Sequence, residues 1–332
     1  MKAIVRTKPG KEFSSMKVEE VESQNLNNGE IKVKMASSRI NPVDMDLMKG
    51  FPSIKFKDLQ FGGIDGAGTV TRISNDSIRF SEGQSVFFYR MFSDIGTWAE
   101  EITIPQEYCA LVPSNIKDVE AGAIALPLLT AYEGIISLNP SKGETILIHG
   151  AGGGVGFQAV HIAKALGLKV IANASERDKQ DLNKAGVDKF IDYKKADFYN
   201  ELVDQAPDYV FDVVGKETLK KSILLKPKAI VSTTFPEVSE MHKTGVNLPG
   251  VLKFIMKLMN RKYSKLSVKN RVKLLGQVTG ANGTNLQKAA TLIEGHPTYF
   301  VREQRTIDLE EIESNGLSKS SIGKVINFSH LK

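Results

Sequence analysis

The sequence predicts an α/β protein of two domains: a β-rich domain assembled from both ends of the chain, and a domain inserted within it that is built on a parallel sheet. Three observations carry this. A length of 332 residues suits two domains at ~150 residues each. The first 110 residues change period every few positions, with short β-branched runs at Ile31 to Met35, Gly68 to Ile73 and Gln84 to Phe88 broken by Gly, Pro and Asn. From about Ala121 apolar strands alternate with helix-period segments, and the last forty residues return to short strands ending Gly323-Lys-Val-Ile-Asn-Phe328.

Ala121 to Leu138 is apolar enough to suggest a membrane span, but Pro127 and Glu133 interrupt it and it reads as a buried helix. Thr145 to His149 is a strand, Val155 to Leu166 a helix stopped at Gly167, and Lys169 to Ala174 the next strand. A polar helix near Arg177 to Lys184, strands at Phe190 to Asp192 and Tyr209 to Val213, a helix near Glu217 to Leu225 and a strand at Ala229 to Ser232 continue the alternation. Helices of this length between strands make βαβ units and a parallel sheet. Beyond Pro249, the pattern Val251, Leu252, Ile255, Leu258, Met259 marks an amphipathic helix, followed by Arg271 to Val278 and a helix near Asn285 to Glu294. The expected limits are 1–122 with 294–332 for the β-rich domain and 123–293 for the inserted one.

With 41% hydrophobic and 25% charged residues, disorder and collagen-like structure are excluded. The net charge is +6, but Val251 to Leu275 alone holds eight basic residues and no acidic one, so the rest of the chain nets −2. No nucleic-acid footprint is therefore expected over a whole face. The stretch itself reads as the solvated side of a packed helix, with a membrane-surface or RNA-binding helix as the alternative. A single cysteine, Cys109, allows no intramolecular disulfide and no multi-cysteine metal site. Met1 to Gly10 has no signal-peptide core, no membrane span is expected, and the cytoplasm is the expected location. No Walker sequence, His-Glu-x-x-His or Gly-x-Ser-x-Gly occurs.

After the strand at Thr145 to His149 comes Gly150-Ala151-Gly152-Gly153-Gly154-Val155-Gly156, opening directly into a helix. A dinucleotide needs this arrangement: a tight turn, no Cβ between backbone and pyrophosphate, and free N–H groups at a helix start. Strict G-x-G-x-x-G is not met; with Gly153 and Gly156 as second and third glycines, Ala151 stands first. A ligand-free glycine turn is the plainer alternative. The following strand ends Asn173-Ala174-Ser175 without an acid at its tip and continues Glu176-Arg177-Asp178-Lys179. The hydroxyl of Ser175 and the cations Arg177 and Lys179 suit a ribose 2′-phosphate, so NADPH is the expected cofactor. Glu176 would favour NADH if it pointed at the ribose.

Ile40-Asn-Pro-Val-Asp-Met-Asp-Leu-Met-Lys-Gly50, Gly63-Ile-Asp-Gly-Ala-Gly-Thr-Val70, Gly96-Thr-Trp-Ala-Glu100, Ala125-Leu-Pro-Leu-Leu-Thr-Ala-Tyr132, the glycine turn and Gly323-Lys-Val325 stand in chain order. Together they resemble the zinc-free quinone oxidoreductase branch of the medium-chain dehydrogenase/reductase superfamily. The resemblance implies a GroES-like β-rich domain, an inserted Rossmann doubly wound parallel sheet, a homodimer, and transfer of hydride or electrons from NADPH to a quinone in the interdomain cleft. It places Asn41 and Thr130 near the nicotinamide and its phosphates, and Gly153, Gly154 and Val155 under the pyrophosphate. It places Ser175 and Lys179 at the 2′-phosphate with Tyr193 beside it, Thr233, Thr234 and Phe235 along the nicotinamide crevice, and Lys324 on the cofactor side. Asn41 is the candidate for orienting substrate or nicotinamide; otherwise it ties its own loop.

Zinc-dependent relatives carry a cysteine early in the first segment, Gly-His-Glu where this chain has Gly63-Ile64-Asp65, and a four-cysteine lobe. This chain has none of those ligands, and His149, His161, His242, His296 and His330 show no metal-like spacing. Without a Lewis acid, the fitting acceptors are quinones and α,β-unsaturated carbonyls. Enoyl reductases of the superfamily place a tyrosine proton donor where Phe51 follows Gly50 here, which favours quinones. Asp44 and Asp46 lie by the expected pocket. Two rival readings stay open: an NADPH-dependent reductase of enone or enal double bonds, and a cofactor-binding protein with little turnover.

Overall fold

The computed structural model describes residues 1–6, 16–48, 62–92 and 96–328. Phe51 and Gly50, on which the proton-donor argument turns, lie outside them.

Near the start of the chain, β1 (Lys2–Arg6) and β2 (Met16–Glu20) form a two-stranded antiparallel sheet. The larger β-rich sheet centres on β3 (Glu30–Arg39), whose alternate residues Ile31, Val33 and Met35 are buried as period-two geometry requires. It runs through β4 (Asp65–Ile73), β5 (Ser85–Tyr89) and β7 (Cys109–Leu111) on one side, with β6 (Glu101–Pro105) also on β3. On the other side lie β15 (Val325–Asn327) and β14 (Thr306–Asp308), so both ends of the chain share one sheet. Trp98, wholly buried, anchors its core. Helix α1 (Pro42–Met48) follows β3, α2 (Asp118–Ala121) and α3 (Ala125–Ser137) lead out of the domain, and α10 (Leu309–Asn315) follows β14.

The second sheet is wholly parallel: β8 (Thr145–His149), β9 (Lys169–Ala174), β10 (Lys189–Asp192), β11 (Tyr209–Asp212), β12 (Ala229–Ser232) and β13 (Lys273–Gly276), in the order β10-β9-β8-β11-β12-β13. Its central strands are nearly continuous apolar runs because helices cover both faces. Those helices include α4 (Gly154–Ala165), α5 (Lys179–Lys184), α6 (Phe198–Leu202), α7 (Glu217–Leu224), α8 (Gly250–Asn270) and α9 (Gly283–Glu294). This is the doubly wound order, and its direction reverses between β8 and β11, where such sheets open a crevice at their carboxyl ends. The architecture is the α/β fold expected, a GroES-like domain with a Rossmann-like sheet. Within the apolar run Ala121 to Leu138, Ala125–Ser137 is a largely buried helix, preceded by the end of α2 and a turn, and among the described residues no helix is long and apolar enough to cross a membrane.

Candidate active site at the domain junction

The site begins at the end of β8. Gly150 turns the chain with φ +68°, a left-handed conformation that glycine adopts without strain. The tight turn thus falls on Gly150, one residue before Ala151, whose methyl is fully buried. A Cβ at Gly156 would overlap the Gly150 carbonyl oxygen, so this glycine lets α4 close against the turn. Gly154 differs: a Cβ there would come no nearer than 3.5 Å to any neighbour, the nearest being Arg39 Nη2. Gly153 caps α4, and Val155 follows in its first turn.

Two arginines outside the expected site meet at this turn. Arg39, at the end of β3, donates from Nη1 to the Ala123 carbonyl (3.1 Å) and to Gln304 Oε1 (3.3 Å), which puts its guanidinium on the glycine turn from the β-rich side. Arg302 donates from Nη1 to the Gly152 carbonyl (2.8 Å), lies 3.8 Å over the Phe157 ring and pairs with Asp181 (2.9 Å). Asp178 also reaches the turn: a Cβ at Gly152 would overlap its carboxylate, which stands 3.5 Å from Arg302 and 3.4 Å from Arg177 Nε.

Behind Arg39 lies a buried polar cluster. Asn41 Nδ2 donates to Asp65 Oδ1 (2.8 Å), the Asn41 backbone N–H donates to Asp44 Oδ2 (2.6 Å), and the Leu126 N–H reaches Asp65 Oδ2 (3.3 Å). Burial pushes the Asp65 carboxyl up to about 7, against the pull of Arg39. Burial and the neighbouring Asp65 push Asp44 well above the usual carboxylate range. Asp46, on the same helix, is exposed.

At the tip of β9, Ser175 is nearly buried, and Tyr193, 58% exposed, hydrogen-bonds by its backbone N–H to the Ala174 carbonyl (3.2 Å). The paired ends of β9 and β10 therefore bring Ser175 and Tyr193 together. Arg177 projects into solvent, its side chain 82% exposed. Lys179 Nζ and Lys195 Nζ grip the two oxygens of Glu176, at 3.1 and 2.9 Å, and hold its carboxyl below the usual range.

At the carboxyl ends of β11 and β12, Thr233 donates its N–H to the Asp212 carbonyl (3.0 Å) and Thr234 Oγ1 meets Ser232 Oγ (3.0 Å). Thr130, on α3, accepts from Thr279 Oγ1 (3.1 Å) and is buried. Two further expected residues have partners of their own. The Phe235 ring packs edge-on against Tyr263 in the core (6.4 Å), and Lys324 Nζ lies 3.5 Å from Glu311 on α10.

Two buried histidines lie off the site: His149 sits between Asn173 and Ser222 (3.0 and 2.8 Å), and His161 sits in an aromatic nest. Burial pushes them down to about 4 and about 3, so both are neutral. Cys109 is buried and its thiol is pushed up. Among the described residues, no three His, Cys, Asp or Glu side chains gather as a metal site would need.

The sequence reading missed Arg39, Arg302 and Asp178, and took Asp65 only as an absent ligand. Arg39 meets partners 84 and 265 positions away, so no local pattern announces it.

Residues 27–114 match the family model for the alcohol dehydrogenase GroES-like domain, and residues 154–230 match that for the zinc-binding dehydrogenase domain. The zinc-type alcohol dehydrogenase-like protein of Staphylococcus epidermidis is 33% identical over 61% of the chain and 63% of its own length. The 2-methylene-furan-3-one reductase of Solanum lycopersicum is 30% identical over 67% and 60%. The quinone oxidoreductase of Mus musculus is 27% identical over 59% and 61%. The matches thus span about three-fifths of these relatives. In structure, the quinone oxidoreductase from Coxiella burnetii superposes with TM-score 0.79 over 98% of this chain and 99% of its own, at 21% identity. With both models matched in chain order and quinone oxidoreductases among its relatives, the chain belongs to the medium-chain dehydrogenase/reductase superfamily, in its quinone oxidoreductase branch.

Proposed function

We propose that the protein is an NADPH-dependent oxidoreductase that reduces quinones in the cleft between its domains, without a bound metal. The glycine turn is the observation that carries this. Gly154 leaves the amide face of the α4 start clear, with the Arg39 guanidinium across from it, and an N-terminal helix turn facing a cation suits a diphosphate.

Gly153, Gly154, Val155 and Arg39 would hold the diphosphate. Ser175, Arg177, Lys179 and Tyr193 would hold the ribose 2′-phosphate, and Thr233, Thr234 and Thr130 would border the nicotinamide. Because two lysines already neutralise Glu176, its charge opposes a 2′-phosphate less than the sequence suggests. Bound there, the nicotinamide supplies a hydride. The chain's own part is positioning: Asn41 commits Nδ2 to Asp65, which leaves Oδ1 as the end we assign to substrate or nicotinamide. Burial disfavours the charged forms of Asp65 and Asp44, which lowers the negative charge of the buried wall behind Arg39. A cytoplasmic homodimer belongs to the same proposal, since β13 ends the parallel sheet and is paired on one side only among the described residues.

The second reading, reduction of enone double bonds, is favoured by the 2-methylene-furan-3-one reductase among the relatives. NADPH consumption with an ortho-quinone, beside NADH and beside an enone, separates the readings. The proposal expects turnover with the quinone and with NADPH over NADH. Turnover of the enone alone establishes the second reading, and NADPH binding without turnover of either acceptor leaves a cofactor-binding protein.

A further inference from the structure

Eight of the chain's positive charges and none of its negative ones fall between Val251 and Leu275, most of them on α8. The inner side of α8 is well packed: Leu252 and Met256 lie against Met241, Val246 and Leu248, while Tyr263 and Leu266 join the core beside the parallel sheet. The outer side is not the polar surface expected of a solvated helix. Val251, Phe254, Ile255, Leu258 and Met259 are 74%, 67%, 44%, 56% and 68% exposed. Their spacing of three and four residues lines them up along the first half of the helix. Arg261, Lys262, Lys265 and Lys269, all exposed, continue the same face through the second half, while Lys253 and Lys257 line a pocket beside Glu237 and Asn260. Among the described residues none of these six cations is in an ion pair, whereas Lys164, Lys221 and Lys228 elsewhere on the surface each have a carboxylate.

An apolar stripe of this length in water is unfavourable unless something covers it. Pairing this face of α8 with a second copy would bring its four cations from each helix, eight in all, together with no negative charge on either helix. An anionic lipid surface suits both halves: the apolar side chains reach the acyl boundary while the guanidinium and ammonium groups meet headgroup phosphates and carboxylates. We propose that α8 docks the protein on an anionic bilayer, lying in the interface with its first half inserted. This is independent of the reductase reading.

The test is co-sedimentation of the full chain with vesicles of phosphatidylcholine alone and with about a third phosphatidylserine, at low and high salt. The expected result is retention on the phosphatidylserine vesicles that weakens with salt. Arg261→Glu with Lys265→Glu should lower partitioning roughly tenfold or more, and Phe254→Ser with Leu258→Ser should abolish it. Both pairs should leave the melting temperature and NADPH turnover unchanged, because these side chains are exposed. Absence of retention at low salt overturns the proposal, as does equal retention on phosphatidylcholine. It is also overturned if the serine pair binds like the wild type, since charge alone, as for RNA, is then what the face reads, or if the serine pair dissociates an oligomer, since a second copy then covers the stripe.

Discussion

The two walls of the cleft are built by opposite means. On the parallel-sheet side, the glycine turn is a run of consecutive residues whose backbone does the work, and its shape follows from where side chains are missing. On the β-rich side, the Arg39 to Asp44 segment, Asp65 and the backbone near Ala123 and Leu126 converge from separate parts of the chain, and charged and polar side chains set its character. A backbone site is fixed by local conformation and tolerates little. A side-chain site is fixed by burial and charge, and its protonation state is part of its structure.

The sharpest contrast lies within the glycine turn. Gly156→Ala forces a Cβ into the Gly150 carbonyl, and overpacking of this kind costs about 1–3 kcal/mol. It should lower the melting temperature and abolish NADPH binding together. Gly154→Ala meets nothing closer than 3.5 Å, so it should melt like the wild type while weakening NADPH roughly tenfold, as seen by calorimetric titration. If Gly154→Ala binds NADPH normally, the open face of the turn is not a cofactor cradle.

The opposite wall is distinguished by pH. Asp65 titrates near 7 in the fold against 3.8 unfolded, so between those values the folded chain holds the proton more tightly. Stability contributed through Asp65 is therefore greatest in acid and is lost as pH rises toward 7. Asp65→Asn should remove that slope: relative to wild type, the variant gains on the order of 2–3 kcal/mol between pH 5 and pH 8. Denaturant melts at the two pH values measure this, and parallel losses in both proteins would mean that Asp65 is ionised throughout. Arg39→Met acts on both walls. It leaves Asp65 without the charge that lowers it, so Asp65 stays protonated to higher pH, and NADPH affinity should fall about tenfold. Unchanged affinity would remove Arg39 from the diphosphate site.

The same difference explains what the sequence disclosed. Strands β8, β9 and β12 fall at Thr145–His149, Lys169–Ala174 and Ala229–Ser232 as hydrophobic pattern predicts, because buried parallel strands are apolar runs with helices between them. The glycine turn is legible for a related reason: missing side chains are visible in one dimension. Arg39 is not, since nothing in Ser38-Arg39-Ile40 says that the guanidinium will be covered by residues near 123 and 304. For Phe235 and Lys324, sequence likewise says nothing of the partners that the fold supplies, the Tyr263 ring and Glu311. The basic stretch was read as solvated because pattern alone marks an apolar stripe without saying whether it faces the core.

The smallest effects are expected at the tip of β9, where both kinds of recognition meet in solvent. Arg177 and Lys179 look equivalent in sequence, but Lys179 is held by Glu176 at 3.1 Å while Arg177 projects outward with only a 3.4 Å approach to Asp178. A cation already paired gains less from a new phosphate, so Arg177→Ala should reduce the preference for NADPH over NADH more than Lys179→Ala, by about threefold to fivefold at this exposure. Glu176→Gln should act in the opposite direction, because it frees Lys179 and Lys195 and removes a negative charge beside the proposed 2′-phosphate. The ratio of kcat/KM for the two cofactors reads all three variants. If Glu176→Gln instead weakens NADH alone, its carboxylate binds the ribose hydroxyl, and the tip of β9 is an NADH site guarded by two lysines.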